Sequence, residues 1–456
     1  MKANIIYLFL LLLCWSLVGC NKKAFLDEKP NSNVIVPTTL EDFQQLLDNE
    51  ATLNLTPALG ELSADNFYIM PNYWQVLPKK ERNAYIWAVD IYEGEGKVTD
   101  WNIPYEQILY ANVVLDGLKK VSQTTSNQQQ WNNFKGAALF IRAYAFYNLA
   151  QVFALPYKAE TATTDLGIPL KLTPDVDEVL KRATLEATYT QILNDLQEAK
   201  DLLSDAVTFY LNRPNKPAAY ALLARVYLSM RNYEQAGANA DNCLKLYNAL
   251  IDYNTKDLTS SRPFERTNAE TMYQSKFNET NVVKSITTCI VDTLLYSQYA
   301  MNDLRRSLLF TLNSAGKINF KSGYTGTSFG FTGLATDEMY LVRAECRARA
   351  GHVTEAMSDL NTLLQQRWKT GTFIPYTALT ANEALNIILT ERRKEMPLRG
   401  IRWTDIRRLN LEKPTITPTR ILNSQTYILP ANSTRYALPI PPDAVLMGGY
   451  LQNERE

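Results

Sequence analysis

Two stretches decide the fold: PAAYALLARVYLSMRNYEQAGANADNCLKLY, residues 217–247, and DEMYLVRAECRARAGHVTEAMSDLNTLLQQR, residues 337–367. In the first, Ala221, Ala224 and Leu228 recur at helical spacing; Arg231-Asn232 interrupts, and Tyr233, Ala236, Ala240 and Leu244 resume it. The second repeats the pattern with Leu341, Ala344 and Ala348, then Gly351-His352, then Val353, Ala356, Leu360 and Leu364. Apolar residues three, four and seven apart line one face of a helix. In both stretches an alanine stands twelve residues before an alanine of the second helix, Ala224 before Ala236 and Ala344 before Ala356. Small residues on facing surfaces let two antiparallel helices approach closely across a short turn, as in tetratricopeptide hairpins. Residues 134–153 form a third pair with residues 185–203, across a long connection; Tyr189, Ile192, Leu196 and Ala199 keep the helical phase there. The expectation is a mostly α fold, a tetratricopeptide-like helical hairpin scaffold carrying long irregular loops.

Outward from these hairpins, Thr38 with Glu41 reads as a capping box leading into Leu40, Phe43 and Leu47, and Thr380 with Glu383 as another before Ala384, Ile387 and Ile388. Residues 65–105 mix aromatics with polar and turn residues, and residues 250–335 are rich in Thr, Ser, Asn and Gly. After Pro414 the chain is punctuated by Pro and Asn and reads as irregular. The expected organisation is a leader over 1–19 and one domain over 20–456. Within that domain the helical scaffold covers about 38–250 and 336–410, with a loop-rich insertion at about 250–335 and an irregular segment at 411–456. Long loops on a rigid scaffold are where binding residues concentrate.

At the N-terminus, Lys2 and the apolar run over residues 5–18 read as a secretory signal peptide. The run is shorter than the roughly 20 apolar residues that span a bilayer. Leu17-Val18-Gly19-Cys20 resembles the bacterial lipobox, in which cleavage precedes the cysteine and acyl chains are attached to it. Cys20 is thus the expected lipidation site and membrane anchor.

Composition narrows the chemistry. Hydrophobic residues make up 46% of 456, and the charges balance at zero, without the basic surplus of a nucleic-acid binder. Lipidation of Cys20 leaves Cys243, Cys289 and Cys346, scattered and without CxxC spacing; buried small hydrophobes are expected, one disulfide being the alternative. The single histidine, His352, lies in an interhelical turn. A Ser–His–Asp triad, a Cys–His dyad or a histidine-bound zinc would have to use it. The main enzymatic option left is a glycosidase carboxylate pair, Asp65 with Glu93 or Glu95, which no spacing supports. The protein is expected to be no enzyme, with no cofactor and no metal.

Binding is the better reading of residues 65–105. A pyranose packs its C–H face on an aromatic ring, while its hydroxyls need side-chain donors and acceptors. Tyr73-Trp74, beside Pro71 and Asn72, are the leading ligand contacts; Tyr68 is a further one, with Asp65, Asn66 and Asn72 as polar partners. Trp87 sits in an apolar run and Trp101 opens a helix, so both read as core. Tyr299 and Tyr324 are candidates from the second loop region. The arginines over 392–408, interleaved with Glu391, Glu395 and Asp405, read as an ion-pair lattice.

An ordered set of motifs also resembles one family, the SusD/RagB-like nutrient-binding outer-membrane lipoproteins of Bacteroidetes. It includes Phe25-Leu26-Asp27, Ile141-Arg142-Ala143-Tyr144-Ala145-Phe146-Tyr147, Gly167-Ile168-Pro169-Leu170 and Asn212-Arg213-Pro214. It continues through Ala221-Leu222-Leu223-Ala224-Arg225-Val226-Tyr227, Glu391-Arg392-Arg393-Lys394-Glu395, Arg402-Trp403-Thr404-Asp405-Ile406-Arg407 and Pro439-Ile440-Pro441. One departure is Ala154-Leu155, where the family often has Gly-Asp before Pro-Tyr. The resemblance implies a non-catalytic cell-surface binder of oligosaccharide, or alternatively of peptide. It implies delivery to a SusC-like TonB-dependent β-barrel transporter, and an outer-membrane location facing the exterior.

Overall fold

The structure, a computed structural model, describes residues 37–278, 280 and 289–456. The leader and Cys20 lie outside the described residues. Helix α1 (Leu40–Leu47) starts one residue later than its sequence suggests. Thr39, not Thr38, is the cap: its Oγ1 accepts from the Asp42 N–H at 3.2 Å, and the Asp42 carboxylate accepts from the Thr39 N–H at 3.0 Å. The Thr39 carbonyl takes the first helical bond, from the Phe43 N–H, which leaves Glu41 on the solvent side.

The scaffold continues through α2 (Thr99–Leu118), α3 (Gln128–Phe153), α4 (Leu185–Leu202), α5 (Lys216–Ser229) and α6 (Tyr233–Leu246). It resumes with α7 (Thr336–Arg349), α8 (Val353–Gln365), α9 (Ala381–Glu395) and α10 (Arg402–Glu412). From α2 to α8 each helix packs on the next in chain order, and α9 packs on α7. Side-chain oxygens of Thr184, Asn215, Asn232 and Thr380 cap α4, α5, α6 and α9. Ala224, Ala236, Ala344 and Ala356 are fully buried where their hairpins close. The two turns match as well: Arg231 (φ +63°) and Gly351 (φ +84°) take the left-handed conformation at equivalent positions. Across the third pair, α3 and α4, Arg142 is held by both carboxylate oxygens of Asp195 at 2.8 and 2.7 Å.

The arginines of 392–408 form the expected lattice. Arg392 meets Asp405, and Arg408 meets both Glu345 and Asp405. A second knot centres on Arg305, fully buried among Asp303, Glu391 and Glu395 at 2.7, 2.6 and 2.9 Å. A buried charge is tolerated only when paired in this way.

The stretches read as loops hold short strands. Phe67–Tyr68, Ile290–Val291, Ile318–Phe320 and Phe310–Leu312 lie side by side, in that order, in an antiparallel sheet. The segment after Pro414 is less irregular than expected. Thr419–Leu422 pairs with Gln425–Ile428 as a hairpin whose turn residues Asn423 and Ser424 both have positive φ, and Pro442–Gly448 is a short helix. Cys243, Cys289 and Cys346 are buried thiols, and burial pushes the Cys346 thiol up to about 12. His352 is exposed at the start of α8. Among the described residues no helix is long and apolar enough to cross a membrane.

Candidate functional site

The antiparallel sheet joins the two loop regions singled out in the sequence. Its edge strand Phe67–Tyr68 alternates, Phe67 into the core and Tyr68 half-exposed on the other face. The next residues fold as a short helix, Pro71–Trp74, with Pro71 in the first turn where its missing N–H costs nothing. Two bonds fasten this turn to the helix Lys79–Tyr85: the Trp74 indole N–H donates to the Arg82 carbonyl, and Arg82 donates to the Gln75 carbonyl, each at 3.1 Å. The Ile69 N–H also donates to the Tyr85 hydroxyl at 2.9 Å. Asn72 is exposed, and Tyr73 and Trp74 are half-buried, each resting one side on the core. Tyr68, Asn72, Tyr73 and Trp74 are thus brought into one short, pinned segment.

Asp65 and Asn66 support that segment from below. The Asp65 carboxylate accepts from Arg402 at 2.6 and 2.8 Å, and Arg393 donates to the Asp65 carbonyl and to the Asn66 side chain. Burial alone would raise the Asp65 pKa, but the charge and hydrogen bonds of Arg402, then Arg393, hold it well below the usual carboxylate range. Asn66 is buried, and its carbonyl accepts from the Asp292 N–H, tying the strand to its neighbour. Both residues are held by arginines of α9 and α10 beneath the segment.

Tyr299 and Tyr324 are also placed otherwise than the sequence suggests. Tyr299 is 1% exposed, its hydroxyl donating to the Lys394 carbonyl at 2.6 Å. Tyr324 is 3% exposed, its hydroxyl donating to Glu270 at 2.7 Å and lying 2.9 Å from that of Tyr253. Both rings belong to the core. Accessible rings among the described residues of this region include Tyr296. Asp292 caps the helix Thr293–Ser297 by accepting from the Leu295 N–H, and that phase leaves Tyr296 half-buried. The Arg306 guanidinium lies 4.7 Å over its ring. Tyr296 lines a cleft of about 760 Å³ with Thr259, Ser261, Thr311 and Asn313 among its polar walls. That cleft runs along the sheet edge opposite Tyr68, three strand spacings or roughly 14 Å away.

Trp87 and Trp101 are core residues, as their settings imply. Of the carboxylates considered for a glycosidase pair, Asp65 is bound by Arg402, Glu93 by Lys79 and Asn83, and Glu95 by Lys80. Among the described residues no cluster of His, Cys, Asp or Glu suited to a metal occurs.

Comparison with known proteins agrees with the fold and the motifs. Residues 24–228 match the family model described as "Starch-binding associating with outer membrane", and residues 334–453 match that of the SusD family. SusD-like protein P2 of Formosa agariphila is 24% identical, the alignment covering 99% of both chains. Among solved structures, a SusD superfamily protein from Bacteroides thetaiotaomicron superposes with a TM-score of 0.75 at 23% identity, covering 91% of this chain and 100% of that one. Surface glycan-binding protein A from Bacteroides fluxus gives a TM-score of 0.69 at 16% identity, covering 90% and 97%. The chain belongs to the SusD family, an outer-membrane-associated family of Bacteroidetes that includes carbohydrate-binding proteins. That membership supports a nutrient-binding surface protein.

Proposed function

We propose that this protein captures a neutral oligosaccharide outside the cell and passes it to a SusC-like TonB-dependent transporter, without chemical change to the sugar. Cys20 carries the lipid that holds it to the outer membrane. The observation that carries the reading is the pinned turn at 70–76, where Tyr73 and Trp74 keep one side reachable beside the exposed amide of Asn72. Flat rings oriented by the protein, next to a neutral donor and acceptor, suit the C–H face and hydroxyl rim of a pyranose. Tyr296 and its polar cleft, at the opposite edge of the same sheet, offer a further ring to a longer chain.

The test is a titration of the Trp74→Ala protein against the oligosaccharide that the wild type binds best. Loss of one stacking ring is expected to weaken binding about tenfold or more, equivalent to roughly 1.4 kcal/mol; Trp74→Phe, which keeps a ring but loses the indole bond to the Arg82 carbonyl, should bind more tightly than Trp74→Ala. Unaltered affinity would remove Trp74 from the site. Binding of peptides alone would transfer the proposal to the peptide ligand.

A further inference from the structure

A second surface has the same chemistry and shares no residue with the first. It is a groove of about 620 Å³ between α1, the start of α3 and the α4–α5 connection. Its floor is apolar, formed by Leu47, Phe134 and Ala137. On its rim stand Phe209 and Tyr210, 78% and 58% exposed, with ring centroids 6.3 Å apart and planes 82° apart. The connection that carries them is anchored at both ends. The Lys216 N–H donates to the Ser204 carbonyl at 2.8 Å, and the Gln274 N–H donates to the Leu211 carbonyl at 2.7 Å.

The polar lining decides the ligand class. Arg213 is the charged residue of the lining, and it is already neutralised: Asp48 accepts from it at 2.8 and 2.6 Å. Its guanidinium also lies 4.4 Å over the Tyr210 ring, which orients that ring. Gln44 donates to the same Asp48 carboxylate at 2.9 Å. The other polar groups are neutral: the exposed amides of Gln129 and Gln130, the Asn133 amide and the hydroxyl of Thr208. Among the described lining residues an anion would find no free cation, and a cation no free carboxylate. Oriented aromatic faces beside uncharged donors and acceptors fit a sugar, whose hydroxyls need both and whose C–H faces need rings.

We infer that this groove is a second carbohydrate-binding site, holding a neutral oligosaccharide against Phe209 and Tyr210. The inference rests on the reading that the ligand is a carbohydrate, and its failure is separable from that reading's failure. The full chain, purified in detergent, is titrated calorimetrically with maltohexaose, cellohexaose, xylohexaose and mannohexaose. Four proteins are compared: wild type, Trp74→Ala, Phe209→Ala/Tyr210→Ala, and the three substitutions together.

For the hexasaccharide that binds best, the wild type is expected to take up two equivalents. The groove variant should take up one, and the Trp74→Ala protein should keep the groove site while the other weakens tenfold or more. Phe209 and Tyr210 are largely solvent-exposed, so the groove variant should melt with the wild type. A Phe209→Trp protein should in addition shift its fluorescence on adding that hexasaccharide. One equivalent in the wild type, weakened by Trp74→Ala and untouched in the groove variant, overturns the groove and leaves the carbohydrate reading standing. A single site lost only in the groove variant supports the groove and overturns the reading at Trp74. No binding of any hexasaccharide overturns both. Loss of a copurifying β-barrel protein from the groove variant, with sugar binding intact, overturns the groove as a sugar site.

Discussion

Glu61 lies buried beneath α10 and accepts a hydrogen bond from the Gly400 N–H at 3.1 Å. Burial is the main cause that pushes its pKa up to about 8; the Gly400 bond opposes the rise, and the neighbouring Asp65 charge adds to it. An acid raised in the folded state holds its proton more tightly folded than unfolded. The stability this gives is fully present below the unfolded value of roughly 4.3 and is lost as pH climbs toward 8. Glu61→Gln keeps the acceptor and removes the titration. Denaturant unfolding at several pH values should show the wild type losing stability relative to this variant from about pH 5 to 8, by up to about 4 kcal/mol. Parallel profiles would contradict the assignment. Arg305 makes the opposite kind of prediction, because it neutralises three buried carboxylates. Arg305→Met should destabilise by about 4 kcal/mol in the same assay, since breaking a buried pair strands its partner charges.

The helices test packing one element at a time. Gly117 of α2 lies under Phe43 of α1, and a Cβ added there would sit 2.4 Å from the Phe43 ring. Gly117→Ala gains up to about 1 kcal/mol of helix propensity but must displace a rigid, fully buried aromatic. A net loss of about 1–2 kcal/mol is expected, and a rise in melting temperature would show that α1 sits loosely on α2. At the start of α9, Thr380→Ala removes the acceptor of the Glu383 N–H and should cost about 1 kcal/mol. The hairpins were legible in the sequence because Ala224, Ala236, Ala344 and Ala356 recur at matching positions of two helical pairs, and all four are fully buried. The sheet was not: strands of two or three residues carry too little alternation to register. The hairpin at Asn423-Ser424 was missed because its two left-handed positions lack the glycine that usually marks them. Tyr296 and Tyr299 differ by three positions, so only the phase set by the Asp292 cap tells the accessible ring from the buried one. For Tyr73 and Trp74 the neighbours Pro71 and Asn72 were a usable signal, because they place a turn at the surface. Asp65 and Asn66 carried no sign that Arg393 and Arg402 would bind them from more than 300 positions away.

At the scale of the molecule, the account joins a membrane tether, a rigid helical body and a loop-borne sugar surface. The tether is expected to act separately from binding. A Cys20→Ala protein should leave the membrane fraction and lose uptake while its isolated affinity for oligosaccharide stays unchanged; unimpaired uptake would contradict the role given to the lipid. The central claim is the class of ligand. It is tested most directly by isothermal titration of residues 21–456 with a panel of defined neutral oligosaccharides and, in parallel, a panel of peptides. The account predicts saturable binding of at least one oligosaccharide and none of the peptides. Saturable binding of peptides with silence across the oligosaccharides would contradict it.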